Sequence, residues 1–205
     1  MLFQSLLNDP LFLLTFAIAL LSAITIHEAA HAFTALRLGD DTAQKNGRLT
    51  LNPFAHLDTL GTIFLLVVGF GWGKPVPVNP NNFKNPRKDE AIVALSGPFS
   101  NLCLATIMVI IFQLTQNFAS TQLLNLFITI GYFNLIIMIF NLLPIPPLDG
   151  SRIIRLIFGE KTYSWLSYYG IYILIAIVFL PIGRYTIIDY ILIPIVKIVE
   201  NVLFK

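Results

Sequence analysis

Residues 26–32, Ile26-His27-Glu28-Ala29-Ala30-His31-Ala32, carry a His-Glu-x-x-His motif inside the long apolar segment 11–36. Positions four apart lie on one face of a helix, so His27 and His31 are placed to bind one metal ion together. Glu28 lies further around the helix, where it can act on a water molecule beside that ion. Ionisable side chains are costly inside an apolar helix unless they have a function. We therefore interpret the motif as a metal site and not as a chance match.

The composition around this motif is that of a membrane protein. Of the 205 residues, 56% are hydrophobic and 12% are charged, whereas soluble domains carry about 25% charged residues. The mean hydropathy is +0.77. These values predict an all-α polytopic membrane protein, with residues 1–205 forming a single domain embedded in the lipid bilayer and with no nucleic-acid partner. Residues 1–8 contain no Lys or Arg, so we expect no cleavable signal peptide.

Apolar runs of bilayer-spanning length predict five transmembrane helices. The predicted spans are residues 11–36, 91–116, 123–143, 163–181 and 186–203. Residues 60–71 are also apolar, but they are short and interrupted by glycine, which favours a re-entrant segment over a sixth span. Asn46-Gly47 followed by the alternating stretch Arg48–Leu51 predicts a short β-hairpin.

The re-entrant prediction decides which residues share a face of the membrane. If residues 60–71 turn back, the end of the first span and Asp149 lie on the same face; if they cross, the two lie on opposite faces. Under the re-entrant arrangement 12 of the 13 Lys and Arg residues fall on the face of His31, and only Arg184 falls on the other. A full crossing would divide them 9 to 4. The positive-inside rule therefore favours the re-entrant arrangement, with the N-terminus outside, the C-terminus in the cytosol and the motif opening toward the cytosol.

Asp149 is the candidate third metal ligand. Catalytic zinc usually has three protein ligands, and His56 is the one histidine outside the motif. Asp149 follows the proline-rich end of the third span, on the same predicted face as His31. Two alternatives remain open from the residues alone. Asp149 could instead belong to a turn or cap a helix over Ser151–Phe158, and His56 could be the third ligand.

The combined motifs resemble those of the site-2 protease family of intramembrane zinc metalloproteases. The stretches that carry the resemblance are His27-Glu28-x-x-His31, Gly47–Pro53, His56-x-Asp58, Gly61-Thr62, Gly73–Pro80, Ser96-Gly97-Pro98-x-x-Asn101 and Asn141-x-x-Pro-x-x-x-Leu-Asp149-Gly150. Together they cover residues 20–155. Thr59 and Ser151 depart from the family pattern, which often has Pro and Gly there, but neither is a proposed ligand. The resemblance is to a minimal form without a PDZ or CBS domain.

This resemblance implies a zinc metalloendopeptidase with a core at about residues 11–158 and two extra helices in 163–205. It implies one zinc ion bound by His27, His31 and Asp149, with Glu28 as general base. The implied substrate is a transmembrane protein cut within or near its membrane segment, with accessory regulatory proteins as further partners. The alternatives are a zinc-binding membrane scaffold and a metal transporter. An intact Glu28 argues against the scaffold, and the lack of internal repeats argues against the transporter.

Four further residues are candidates for the site. Asn101 is expected at the depth of the metal, either donating to a developing oxyanion or bonding to a neighbouring helix. His56 and Asp58 could position a ligand or the substrate, or could be an ordinary polar pair in a loop. Asn141 has the same ambiguity, and we favour a structural role near the prolines. An exposed edge at Arg48–Leu51 could pair with an unwound substrate.

Overall fold

The computed structural model describes residues 9–203 and is built mainly of α-helices. The helices are α1 (Pro10–Arg37), α2 (Thr42–Lys45), α3 (Thr59–Val68), α4 (Pro86–Thr115), α5 (Thr121–Asn141), α6 (Gly150–Phe179) and α7 (Ile187–Leu203), with single 3-10 turns at Pro53–Ala55 and Pro80–Asn82. Two short strands, β1 (Pro181–Ile182) and β2 (Tyr185–Thr186), form an antiparallel hairpin. The predicted fold class is confirmed. Residues 1–8 and Lys205, which entered the signal-peptide and charge predictions, lie outside the described residues.

Within residues 9–203, four helices are long and apolar enough to cross a membrane: α1, α4, α5 and α6. The predicted fifth span corresponds to α7, whose 17 residues fall at the short end of the spanning range of about 17–25. Helix α6 begins well before the predicted fourth span, with the stretch 150–158. A break at Gly159, where φ is 82°, separates it from the apolar part of that helix.

The first helix starts where its sequence predicts. The Asp9 carboxylate accepts the backbone N–H groups of Leu11 and Phe12, and Pro10 occupies the first helical position, where a missing N–H costs nothing. Helices α1, α4 and α5 pack most extensively against one another. Small residues that are completely buried allow their close approach: Ala19, Ala23, Ala32, Ala35 and Ala105. This three-helix core holds the motif.

The segment predicted to be re-entrant does return to its starting point. Helix α3 has ten residues, a length of about 15 Å, which is half of what the hydrocarbon core requires. After it the chain turns back, and Leu57 pairs with Gly73 in an antiparallel bridge. Next to this bridge the Lys74 N–H donates to the His56 carbonyl at 2.9 Å. Entry and exit of the segment are therefore adjacent, and we call residues 57–74 the return segment.

The hairpin predicted at residues 46–51 is wrong. Asn46-Gly47 forms a turn after α2, but Arg48–Leu51 is irregular and pairs with no strand. The alternation of residue types has another cause: Arg48 is buried, and its guanidinium donates to the carbonyls of Lys74 and Pro75 at 2.6 and 3.0 Å. A polar Arg48 followed by Leu49, Thr50 and Leu51 has the alternation of a strand, although Arg48 is buried. Among residues 9–203 the hairpin lies instead at β1–β2.

Candidate metal centre

Three side chains distant in sequence meet inside the helical core. The Nε2 atoms of His27 and His31, on successive turns of α1, are 3.0 Å apart. The Oδ2 atom of Asp149 lies 3.0 Å from the first and 3.3 Å from the second. Within residues 9–203 this is the group of histidine and acidic side chains close enough to hold a metal ion. Both histidines are buried, with 5% and 8% of their surface exposed.

Hydrogen bonds on the far side of each ring decide which nitrogen is free. His31 Nδ1 lies 2.8 Å from the Val93 carbonyl, which can only accept, so Nδ1 carries the proton. His27 Nδ1 lies 2.7 Å from Asn101 Oδ1, again an acceptor. In a neutral imidazole the other nitrogen then has a lone pair. Both Nε2 atoms therefore present lone pairs to the same point, which is the arrangement of metal-binding histidines.

The donor set fits zinc. Two imidazole nitrogens and a carboxylate oxygen point lone pairs at one another, and no hydrogen lies between them. Such a set of acceptors is repulsive unless a cation lies at its centre. The carboxylate atom Oδ2 of Asp149 is buried and has no hydrogen-bond donor. Ligand atoms around a tetrahedral zinc with bonds of about 2.0 Å are about 3.3 Å apart, close to the observed separations. A zinc ion bound by His27, His31 and Asp149 would keep a fourth position for water or substrate.

The proline-rich turn after α5 places Asp149. Its carboxylate makes no helix-capping hydrogen bond, so the capping alternative is not what the structure contains. Gly150 packs so tightly that a Cβ there would lie 2.2 Å from the Leu142 carbonyl oxygen. On the other side, Ile145 and Leu148 are buried against Leu174 of α6. The aspartate is therefore held by backbone contact and by apolar packing.

Gly97 is a site residue that sequence reasoning missed. A Cβ at this position would lie 2.5 Å from Cε1 and Nε2 of His31 and 2.7 Å from Cε1 of His27. The two imidazoles thus rest on the bare backbone of α4. The signal was present in Ser96-Gly97-Pro98, a stretch of the family resemblance, but the sequence does not tell which side chains a glycine touches.

Glu28 is held by a segment that we call the strap, residues 74–78. Its Oε2 accepts the Val76 N–H at 2.9 Å. Val76 lies between Pro75 and Pro77, which have no N–H, so this donor is fixed between two residues that cannot replace it. Arg48 holds the start of the strap through its two carbonyl contacts. The half-buried carboxylate is thereby oriented by backbone and not by another side chain.

The remaining predicted residues make hydrogen bonds outside the metal group. His56 is completely buried and donates from Nε2 to the Thr50 carbonyl at 2.9 Å; it is not in the metal group. Asp58 caps α3 by accepting the Gly61 N–H at 2.8 Å. Asn141 donates to the Ile137 carbonyl of its own helix at 3.0 Å. These hydrogen bonds correspond to the structural alternatives given above, a polar pair in a loop for His56 and Asp58 and a structural role for Asn141.

Asn101 reaches the metal group, but not in the orientation of an oxyanion donor. Its Oδ1 faces His27, and its Nδ2 donates to the Ala23 carbonyl at 2.9 Å and to Asn134 Oδ1 at 2.8 Å. Both amide hydrogens are therefore used inside the core. Asn101 lies behind the imidazole of His27, on the side away from Nε2, where it fixes the orientation of the ring and has no amide hydrogen left for a substrate.

Comparison with known proteins now adds to this geometry. The sequence profile of Peptidase family M50 matches residues 15–120 and 109–181. The chain belongs to Peptidase family M50. It is 42% identical over 187 residues to the "Putative zinc metalloprotease YwhC" of Bacillus subtilis (strain 168), covering 86% of this chain and 85% of the relative. The expected membership of the site-2 protease family is confirmed, and this M50 protein is a zinc metalloprotease.

More distant relatives agree with this assignment to M50. The "Putative zinc metalloprotease Rip2" of Mycolicibacterium smegmatis (strain ATCC 700084 / mc(2)155) is 33% identical over 134 residues, covering 63% of this chain and 52% of the relative. The "Zinc metalloprotease MJ0392" of Methanocaldococcus jannaschii is 24% identical over 164 residues, covering 80% of this chain and 40% of the relative. The chain thus spans about half of these longer proteins. No solved structure matches this M50 chain with significance.

Proposed function

We propose that this M50 metalloprotease hydrolyses peptide bonds within or next to the transmembrane segments of other membrane proteins. The observation that carries the proposal is the depth of the metal group. His27 and His31 precede the C-terminal end of α1 at Arg37 by ten and six residues, which corresponds to about 15 and 9 Å along the helix axis. A peptide bond that reaches these residues must therefore lie about 9–15 Å inside the helix bundle, measured from the C-terminal end of α1.

The chemistry follows from the side chains around the metal group. One zinc ion bound by His27, His31 and Asp149 would polarise a water molecule and lower its pKa toward neutrality. Glu28 would accept a proton as the water oxygen bonds to the substrate carbonyl carbon, and it would pass that proton to the amide nitrogen as the C–N bond breaks. Its Oε2 is held by the Val76 N–H, and Oε1 has no hydrogen-bond partner among the described residues, so Oε1 is the atom that we assign to proton transfer.

An apolar groove beside the motif supports a membrane-embedded substrate. The groove has a volume of about 410 Å³. Its lining residues are Ile26, Ala29, Ala30, Phe33, Leu49, Thr50 and Leu51. The two alanines are the variable positions of the His-Glu-x-x-His motif, and their small size leaves space next to the metal ligands. A substrate helix must unwind before cleavage, because helical carbonyls are hydrogen-bonded and shielded, and this groove offers apolar side chains a place during unwinding.

The proposed location is the cell membrane, with the N-terminus outside and the metal centre open to the cytosol. The distribution of Lys and Arg supports this orientation. The return segment supports the assignment of charges on which this orientation depends, because its adjacent ends leave the end of α1 and Asp149 on one side. Proteins that regulate the cleavage, if they are soluble, would approach from the cytosol. Neither a scaffold nor a transporter requires Glu28, and this difference makes the proposal testable.

The decisive experiment measures cleavage of a single-pass membrane substrate in proteoliposomes. We expect Glu28→Gln to retain zinc and to lower the cleavage rate by about 10²- to 10⁴-fold, the usual contribution of a general base. Asp41→Asn is the matched control, since the Asp41 side chain is 43% exposed and its ion pair within residues 9–203 is with Lys45. Parent-like cleavage by zinc-loaded Glu28→Gln would overturn the protease mechanism and favour a scaffold or a transporter.

Orientation is tested by labelling a single cysteine in the strap. Lys74 is exposed, and the native Cys103 is a free, exposed thiol, so Lys74→Cys is placed in a Cys103→Ser background. We expect an impermeant maleimide to label this variant in inverted vesicles and not in intact cells. Labelling in intact cells alone would reverse the proposed orientation without affecting the metal site.

A further inference from the structure

Asn134 of α5 lies at the end of a buried hydrogen-bond chain that leads to the metal group. The chain runs through Asn101 to His27, and Asn101 and Asn134 are completely buried. Each member is on a different helix: α5, α4 and α1. Sequence reasoning did not single out Asn134, which lies in an apolar span without a motif around it.

Carbonyl groups at two points fix the direction of this chain. A carbonyl only accepts, so the Ala23 carbonyl, at 2.9 Å, identifies the neighbouring amide atom of Asn101 as the donor Nδ2. In the same way, the Ile130 carbonyl at 2.8 Å identifies Nδ2 of Asn134. The oxygen of Asn134 must then face Asn101, and the oxygen of Asn101 must face His27.

The direction matters because it selects the tautomer of His27. With the Asn101 oxygen facing Nδ1, the proton is on Nδ1 and the Nε2 lone pair points to Asp149. If the amide of Asn101 were reversed, its NH₂ group would face Nδ1, and a neutral ring would carry its proton on Nε2. That tautomer cannot bind a metal through Nε2. Asn134 opposes the reversal, because it offers an acceptor where the reversed amide would present its oxygen.

We propose that Asn134 is a positioning residue of the metal centre: through Asn101 it keeps the metal-facing nitrogen of His27 free of its proton. This inference rests on the proposed ligand set of His27, His31 and Asp149. It assigns a function to a buried polar side chain in a membrane span, where such groups are costly. Asn134 touches neither the metal nor the substrate, so its effect must pass through Asn101.

The test is zinc affinity of the full chain in detergent, measured by competition with a chelator. Partners that orient ligating histidines change metal affinity by about 10- to 100-fold. We expect Asn134→Leu to weaken zinc binding about tenfold, at the lower end of that range, and to alter the visible spectrum of the cobalt-substituted protein. Asn134→Asp keeps an oxygen acceptor toward Asn101 and should restore most of the affinity. Should Asn134→Leu not fold, Asn134→Ala removes the same acceptor without adding bulk.

A double-mutant cycle separates positioning from general packing. In an Asn101→Ala background, Asn134→Leu should weaken zinc binding no further. Thr129→Val is the matched control on α5. Like Asn134, Thr129 donates to the carbonyl four residues earlier, that of Asn125 at 2.7 Å, but it makes no hydrogen bond to Asn134 or Asn101. We expect it to bind zinc like the parent.

Two results would overturn the proposal. One is unchanged zinc affinity in folded Asn134→Leu, and the other is an effect of Asn134→Leu that adds in full to that of Asn101→Ala. Failure of the ligand set itself gives a different result, in which His27→Ala binds zinc as tightly as the parent. The two failures are therefore distinguishable in one set of measurements.

Discussion

The backbone of Gly97 lies directly against the imidazole of His31, and a Cβ at position 97 would come within 2.5 Å of both Cε1 and Nε2 of that ring. We therefore predict that Gly97→Ala displaces the ligand nitrogens and weakens zinc binding by about 10- to 100-fold, as changes to the partners of ligating histidines do. The measurement is chelator competition with the purified protein in detergent.

Gly131→Ala provides the control for this prediction. Gly131 is also a buried helical glycine, but a Cβ there would meet its nearest neighbours at 3.7 Å, an ordinary contact. We expect this variant to bind zinc like the parent. Equal loss of affinity in both variants would mean that helix packing in general, and not contact with the imidazoles, determines the effect.

The strap should affect cleavage without affecting the metal. Val76→Pro deletes the N–H that Glu28 accepts, whereas Val76→Ala keeps it. A hydrogen bond to a charged group contributes about 1.5–3 kcal/mol, so we expect Val76→Pro to slow cleavage by about tenfold or more and Val76→Ala to cleave at nearly the parent rate. Zinc affinity should be equal in all three proteins. If Val76→Pro cleaves like the parent, the strap does not orient the general base.

Asp40 should make stability depend on acidity. It is completely buried and accepts hydrogen bonds from Asn79, Asn82 and Thr42. Burial alone would raise the pKa of Asp40, but these hydrogen bonds outweigh it and hold the pKa below its ordinary value. The stabilisation is then present above the unfolded-state pKa of about 3.9 and is lost as the pH falls through the lower folded-state pKa.

The corresponding variant is Asp40→Asn, compared with the parent by thermal unfolding in detergent between pH 7 and pH 3. At pH 7 we expect a loss of about 2 kcal/mol or more, because several charge-assisted hydrogen bonds are weakened together. The difference should shrink as the pH falls below about 4, because Asp40 then becomes protonated first in the unfolded parent and, at still lower pH, in the folded parent. Asp41→Asn, at the exposed neighbour, should change stability little at any pH. A difference that stays constant with pH would exclude Asp40 as its source.

Removing the metal should destabilise the protein. Zinc at 100 times its dissociation constant stabilises a folded state by about 2.7 kcal/mol. Adding zinc to protein from which a chelator has removed the metal should therefore raise its Tm. His31→Ala removes one of the three converging ligand atoms, and we expect its Tm to respond far less. An equal response of the two proteins would show that zinc acts at another place.

The pairing of His27 with His31 could be predicted from the helical period alone, which is a local property. The predicted order of spans placed Asp149 on the same face, but the family resemblance was needed to choose it as the third ligand. The bridge between Leu57 and Gly73 supports this shared face, because it shows that the segment between them turns back. Helix starts were also readable, as at Asp9-Pro10, because capping depends on neighbouring residues.

What the sequence did not predict depends on contacts between distant segments. The orientation of the Asn101 amide is set by Ala23 and Asn134, 78 and 33 residues away, and an amide in a span can face either way until its neighbours are known. The hydrogen bond from the Val76 N–H to Glu28 likewise joins residues 48 positions apart and could not be predicted from the sequence. The false strand at Arg48–Leu51 has this origin too, since the burial of Arg48 depends on carbonyls 26 and 27 residues further along the chain.

The return segment makes the two ends of this protein unequal. Residues 38–85 and 142–149 follow the ends of α1 and α5 that are nearer to the metal group, whereas the short turn 116–120 joins α4 and α5 at the opposite end. Whichever way the chain is inserted, we therefore expect a water-soluble inhibitor or regulator to reach the metal centre from one aqueous compartment only. A compound that acts from the other compartment would first have to cross the membrane.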